Sequence, residues 1–168
     1  MDSAEELTGC ILRLRRYARA LTGDRTVADD LVQDTLERAW GRFHMWRRGS
    51  DLRAWLFTIM HNLYVNQRRS RSAERSVELK NEELELPGRA TQEDKLEMRD
   101  LEAALRRLPD EQREVVLLVG LEQMSYQEVA KVLGIPLGTV MSRLSRGRER
   151  LRAWMSDGMG APQLKVVK

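Results

Sequence analysis

Arg143 and Arg146 stand three positions apart in the run Gly138-Thr139-Val140-Met141-Ser142-Arg143-Leu144-Ser145-Arg146, a spacing that turns them to neighbouring sides of one helix. A guanidinium fork matches the paired acceptors that guanine shows in the major groove, and the small hydroxyls of Thr139 and Ser142 suit phosphates or base edges. The chemistry is recognition of duplex DNA. Just upstream, Ser125-Tyr126-Gln127-Glu128-Val129-Ala130 opens on a capping pair and Gly134 supplies a left-handed turn, so the two helices make a helix-turn-helix. An exposed basic helix on an ordinary bundle is the plainer account of the arginines alone. The grammar of the whole motif outweighs it. Arg148, Arg150 and Arg152 continue the run as a solvated or phosphate-facing edge without a role in specificity.

A second constellation lies in the amino-terminal half. Trp46 sits among Arg42, Arg47, Arg48 and Arg53, with Arg68 and Arg69 further on, against one nearby acid, Asp51. That density attracts a phosphate backbone. An indole face stacks on a base only after the base has left the duplex, at roughly 1–3 kcal/mol per base. Trp46 is nearly as well suited to a core, and Trp55, spaced with Leu52, Leu56 and Ile59, is better suited to one. Asp29 and Asp30 suggest acid catalysis, but no nucleophile, base or glycine-rich phosphate loop accompanies them. His44 and His61 have no companion ligands at metal spacing. Neither an enzyme, nor a metal site, nor a cofactor is expected.

The elements that position these residues read as helices. Only 5 % of the 168 residues are aromatic, and no long segment alternates in the manner of strands, so an all-α fold is expected. Leu7, Ile11, Leu14, Ala18 and Leu21 mark a first helix, and Thr26 with Asp29 reads as the cap of a second running to about Trp40. A third follows Gly49-Ser50 and runs into the basic stretch from Arg68. Four short helices form the other end, the first stopping at Pro109, the second capped by Asp110, the last carrying the stripe Val140, Leu144, Gly147 and Leu151. Between them the composition turns to Glu and Ser with Pro87-Gly88, which reads as a flexible acidic linker. Two small helical domains result, residues 1–71 and 98–168, tethered by residues 72–97. A single cysteine, Cys10, permits no intramolecular disulfide. Apolar runs such as Val115–Val119 are too short to span a bilayer, and the acidic start differs from a signal peptide. A cytoplasmic chain without membrane insertion is expected.

Leu108-Pro109-Asp110-Glu111-Gln112-Arg113, then Leu121 to Gly134, then Gly138 to Leu144, resembles the promoter-reading domain of extracytoplasmic-function sigma factors of the bacterial sigma-70 family. Ala28-Asp29-Asp30-Leu31-Val32-Gln33-Asp34-Thr35 with Arg38-Ala39-Trp40, and Leu52-Arg53-Ala54-Trp55-Leu56 with Asn62, resemble that family's core-binding and promoter-melting domain. The resemblance implies that the helix bearing Asp29, Asp30, Gln33, Asp34 and Glu37 docks on core RNA polymerase. It implies that Trp46, Asn62, Arg68 and Arg69 meet the melted minus-ten strand, and that Thr139, Ser142, Arg143 and Arg146 read the upstream duplex element. An anti-sigma protein that holds the two domains is the further partner it implies. A helix-turn-helix regulator that binds DNA without joining the polymerase is the alternative, though it leaves the acidic helix and the basic third helix unused.

Overall fold

The computed structural model describes residues 3–73 and 92–158. Among them lie seven α-helices, a short 3-10 turn at Phe43–Met45, and no strand. The amino-terminal half is α1 (Ser3–Thr22), α2 (Arg25–Gly41) and α3 (Leu52–Ala73), with α2 packed on both of its neighbours. Leu14, Ala18 and Leu21 of α1 are buried, as are Ala28, Leu31 and Thr35 of α2 and Leu56, Phe57 and Met60 of α3. Each wholly buried leucine stabilises the half by roughly 1.5–3 kcal/mol relative to exposure. Tyr17 meets Phe57 edge-on, 5.0 Å between ring centroids.

The cap of α2 differs from expectation. Asp24, not Thr26, is the N-cap, its carboxylate accepting from the backbone N–H groups of Thr26 and Val27. Asp24 is the better acceptor because it stands one residue outside the helix with extended backbone, where its side chain can turn back onto the free N–H groups.

The carboxy-terminal half is α4 (Gln92–Arg107), α5 (Asp110–Gly120), α6 (Tyr126–Leu133) and α7 (Leu137–Gly158). The expected linker falls largely on residues 74–91, outside the described residues, while α4 starts at Gln92, inside the stretch read as linker. Pro109 is the N-cap residue of α5 and makes no side-chain cap, so Asp110 is the first helical residue and not the cap. Its carboxylate is engaged elsewhere, by Arg113, Arg68 and Tyr64.

The motif itself forms as its sequence indicates. Ser125 and Glu128 complete a reciprocal capping box, and Gly134 closes α6 at φ 66°, where a residue with a Cβ is strained. Val140, Leu144 and Leu151 of α7 are buried against α4, α5 and α6. Gly147 completes that stripe and lets α5 approach, since a Cβ there would stand 2.8 Å from Val116 Cγ2.

Arg113 fastens the frame. Its Nε donates to the Leu105 carbonyl, Nη2 to those of Arg106 and Leu108, and Nη1 to Asp110 and to Leu21 at the end of α1. All five guanidinium N–H groups are used, mostly on carbonyls that a helix end leaves without partners. The halves touch along α3 against α6 and along α1 against α4 and α5.

Candidate nucleic-acid and polymerase interfaces

On α7 the buried stripe fixes what remains outside. Ser142 and Arg146 are exposed, Thr139 half-buried at the first turn, and Ser142 Oγ donates to the Thr139 carbonyl at 3.2 Å. These three share the side of α7 opposite the core. Arg143 differs from Arg146. It flanks the stripe, half-buried, with Nη2 3.7 Å from Glu111 Oε2 of α5. Its fork is partly spent inside the domain.

In the amino-terminal half the structure brings only some of the candidate strand contacts into the open. Asn62 and Arg69 are exposed on α3. Arg68 is held, its Nε 2.9 Å from Asp110 Oδ2 and its guanidinium 5.5 Å from the Tyr64 ring centroid. Trp46 is buried at 9 % exposure, tilted against Phe43 at 5.4 Å, with its indole N–H lacking a partner. In this arrangement its ring is a core element. The open aromatic of the region is Trp40, 72 % exposed and stacked on Phe43.

Asp29, Asp30, Gln33, Asp34 and Glu37 all lie exposed on α2. At 3.6 residues per turn they share an arc of about 140°. Few contacts tie them down: Gln33 donates to Glu37, Gln67 to Asp34, and Arg19 stands 3.9 Å from Asp29. The face is acidic, continuous and open, and it ends at Trp40.

Sequence reasoning missed a third set of residues, those between the halves. Arg53 donates to the Glu122 carbonyl at 3.0 Å and to Glu128 at 3.4 Å. His61 Nδ1 lies 2.6 Å from Glu114 Oε1, Tyr64 donates to Asp110, and Arg16 of α1 reaches Glu122 at 3.4 Å. Burial pushes the Glu122 carboxyl above its usual value, with Arg16 opposing the rise, and burial pushes the Tyr64 hydroxyl well up. Beside them opens a cleft of about 550 Å³ whose lining includes Arg68, Arg69, Asp110, Glu111 and Arg143. The spacing of 53, 57, 61, 64 and 68 on one helical face was the available signal. No helix among the described residues is long and apolar enough to cross a membrane.

Comparison with known proteins matches two regions of the chain in turn. Residues 7–61 match the family described as the Sigma2 domain of PhyR, and residues 98–151 match Sigma-70, region 4. The chain is 38 % identical to the ECF RNA polymerase sigma factor EcfG of Rhodopseudomonas palustris, over 89 % of this chain and 82 % of that one. The sigma factor RpoE of Bartonella quintana, solved with the anti-sigma factor NepR, superposes with a TM-score of 0.78 at 34 % identity, covering 92 % of this chain and 96 % of that one. CnrH, solved with the cytosolic domain of CnrY, gives a TM-score of 0.67 at 27 % identity over 91 % and 86 % of the two chains. With both regions matched in order, and relatives of this identity aligned over most of their length, the chain belongs to the ECF family of RNA polymerase sigma factors.

Proposed function

We propose that this chain binds core RNA polymerase through the α2 face of Asp29, Asp30, Gln33, Asp34 and Glu37 and directs it to one promoter class. An acidic, weakly engaged face suits a basic partner and speeds encounter. α7 enters the major groove of the upstream element, with Arg146 as the base reader and Thr139 and Ser142 in support. Arg143, pulled toward Glu111, serves as a phosphate clamp or as a positioning residue for α7. Asn62, Arg68 and Arg69 follow the melted minus-ten strand. Trp46 joins them when the turn at Phe43–Met45 swings outward, because a buried indole offers no face to a base.

One observation carries the reading: the two regions stand in family order, with the solvent side of α7 and the acidic side of α2 both open. The chain acts without catalytic turnover of its own, in the cytoplasm, where the polymerase works. Its relatives RpoE and CnrH were solved with NepR and with the cytosolic domain of CnrY, which supports control of this chain by an anti-sigma protein. The test is initiation by purified core polymerase on a promoter library. Co-purification with core and initiation at one promoter class are expected. A chain that shifts duplex DNA alone but never joins core would make it an ordinary regulator and overturn the reading.

A further inference from the structure

Four ion pairs between the halves, among the described residues, share one polarity, while Arg113 donates the other way to a backbone carbonyl, that of Leu21. In the ion pairs that cross between them, the bases Arg16, Arg53, His61 and Arg68 come from α1 and α3, and the acids Glu122, Glu128, Glu114 and Asp110 from the other half. Along α3, Arg53, Phe57, His61, Tyr64 and Arg68 recur at spacings of four, four, three and four, which puts them on one face. Phe57 is its apolar member, and the others meet carboxylates or a carbonyl. An interface so polar resembles the separable kind between domains more than a shared core.

Two of these four acids, Asp110 and Glu114, stand on the first turns of α5, with Glu111 between them. Asp110 takes Arg68 from α3, and Glu111 takes Arg143 from the flank of α7. One acidic row thus holds an arginine from each of the two elements assigned to DNA. A carboxylate on a guanidinium occupies the position that a phosphate oxygen takes, with the same fork geometry. Arg68 cannot keep Asp110 at 2.9 Å and also bind a phosphate with that edge.

We propose that Asp110 and Glu111 on α5 are an internal stand-in for DNA phosphate: Asp110 on Arg68, with Glu114 on His61, closes the two halves of the free chain on each other, Glu111 occupies Arg143 within its own half, and the promoter strand displaces Asp110 and Glu111 when it takes the two arginines. The inference rests on the assignment of α3 and α7 to DNA and adds the regulation of that site. An open fraction of a few per cent to a tenth lowers apparent affinity by the inverse of that fraction. Weakening the acids should recover it.

The experiment uses the full chain carrying Asp110→Asn with Glu114→Gln, and binding of a fluorescein-labelled random-sequence single-stranded oligonucleotide read by anisotropy. The double variant is expected to bind about tenfold tighter than the unaltered chain, and to be more extended in solution X-ray scattering. Helical circular dichroism reports whether the variant folds. Where it does not, Asp110→Asn alone takes its place, since its pair with Arg68 is half-exposed and Glu114 stays untouched. A folded variant that is compact and no tighter overturns the proposal. Initiation with core polymerase is scored in parallel. If the chain initiates but the clasp measurements fail, only the clasp falls; if the variant opens and binds tighter but no promoter is ever used, the sigma assignment falls and the clasp remains.

Discussion

Replacing Gly147 by alanine sets two known effects against each other at the crossing of α5 and α7. Alanine gains about 1 kcal/mol of helix propensity over glycine in a helix interior. The added Cβ, however, would lie 2.8 Å from Val116 Cγ2 and 3.5 Å from Gln112 Cβ. Carbon atoms prefer about 3.5–4.0 Å, so the overlap with valine is roughly 0.7–1.2 Å. Val116 cannot turn away cheaply, because a β-branched side chain in a helix has one strongly preferred rotamer. Overpacking of this kind costs typically about 1–3 kcal/mol. The net expectation is a loss of about 0–2 kcal/mol, with α7 pushed off α5 and its DNA-facing side tilted. Urea unfolding of Gly147→Ala, Val116→Ala and the double variant, followed by helical circular dichroism, measures it. The double variant should recover about 1–3 kcal/mol relative to the sum of the singles. Gly138→Ala, where a Cβ meets nothing within 4 Å, is the reference and should be neutral or stabilising. If Gly147→Ala is more stable than the unaltered chain by the full propensity gain, or if the double is additive, the close-approach argument is wrong.

Arg146→Ala should relax preference at particular positions of the upstream element, whereas Arg143→Ala should weaken all promoters alike and flatten the salt dependence; promoter selections on the two variants separate these outcomes. Trp46→Ala and Asn62→Ala should slow open-complex formation on duplex promoters, with Asn62→Ala largely rescued on a premelted promoter and Trp46→Ala also lowering the melting temperature, because Trp46 is buried. Glu122 holds its proton more tightly when folded than when unfolded, so this group favours the folded chain as pH falls through its raised value and loses that contribution as pH rises above it. The melting temperature of the unaltered chain minus that of Glu122→Gln should therefore increase from neutral pH toward the carboxylate range, and a flat difference would contradict the burial argument.

The helices were legible because their apolar positions recur at helical spacing and their ends carry caps. The Val140, Leu144, Gly147 and Leu151 stripe and the Ser125–Glu128 box stand where their spacing puts them. The cap at Asp24 was missed because Thr26 also fits the pattern, and only backbone geometry decides which oxygen lies outside the helix. The exposed acidic face of α2 was legible by position, its partner only by resemblance. The polar face of α3 was legible only as a spacing. Arg53 and Arg68 read as attraction for a phosphate backbone and His61 as a histidine without metal companions, and nothing local tells that Glu122, Glu114 and Asp110, some forty residues or more away in sequence, come opposite them. Trp46 was ambiguous for a related reason: an indole suits a core and a base equally, and only its neighbours distinguish the two.

Arg113 gives the separation of the halves a definite mechanical character. Of its five bonds, four lie within the carboxy-terminal half at 2.7–2.8 Å, and the one that crosses to Leu21 is the longest at 3.3 Å. Of the bonds Arg113 makes, parting the halves would break that one alone. The Leu21 carbonyl, at the end of a helix, takes a water in exchange, and the guanidinium keeps its grip on the end of α4 and the start of α5. Each half leaves with its internal frame intact. Were the halves to part, Arg113 would hold the carboxy-terminal frame together throughout, and a water would replace its one lost partner.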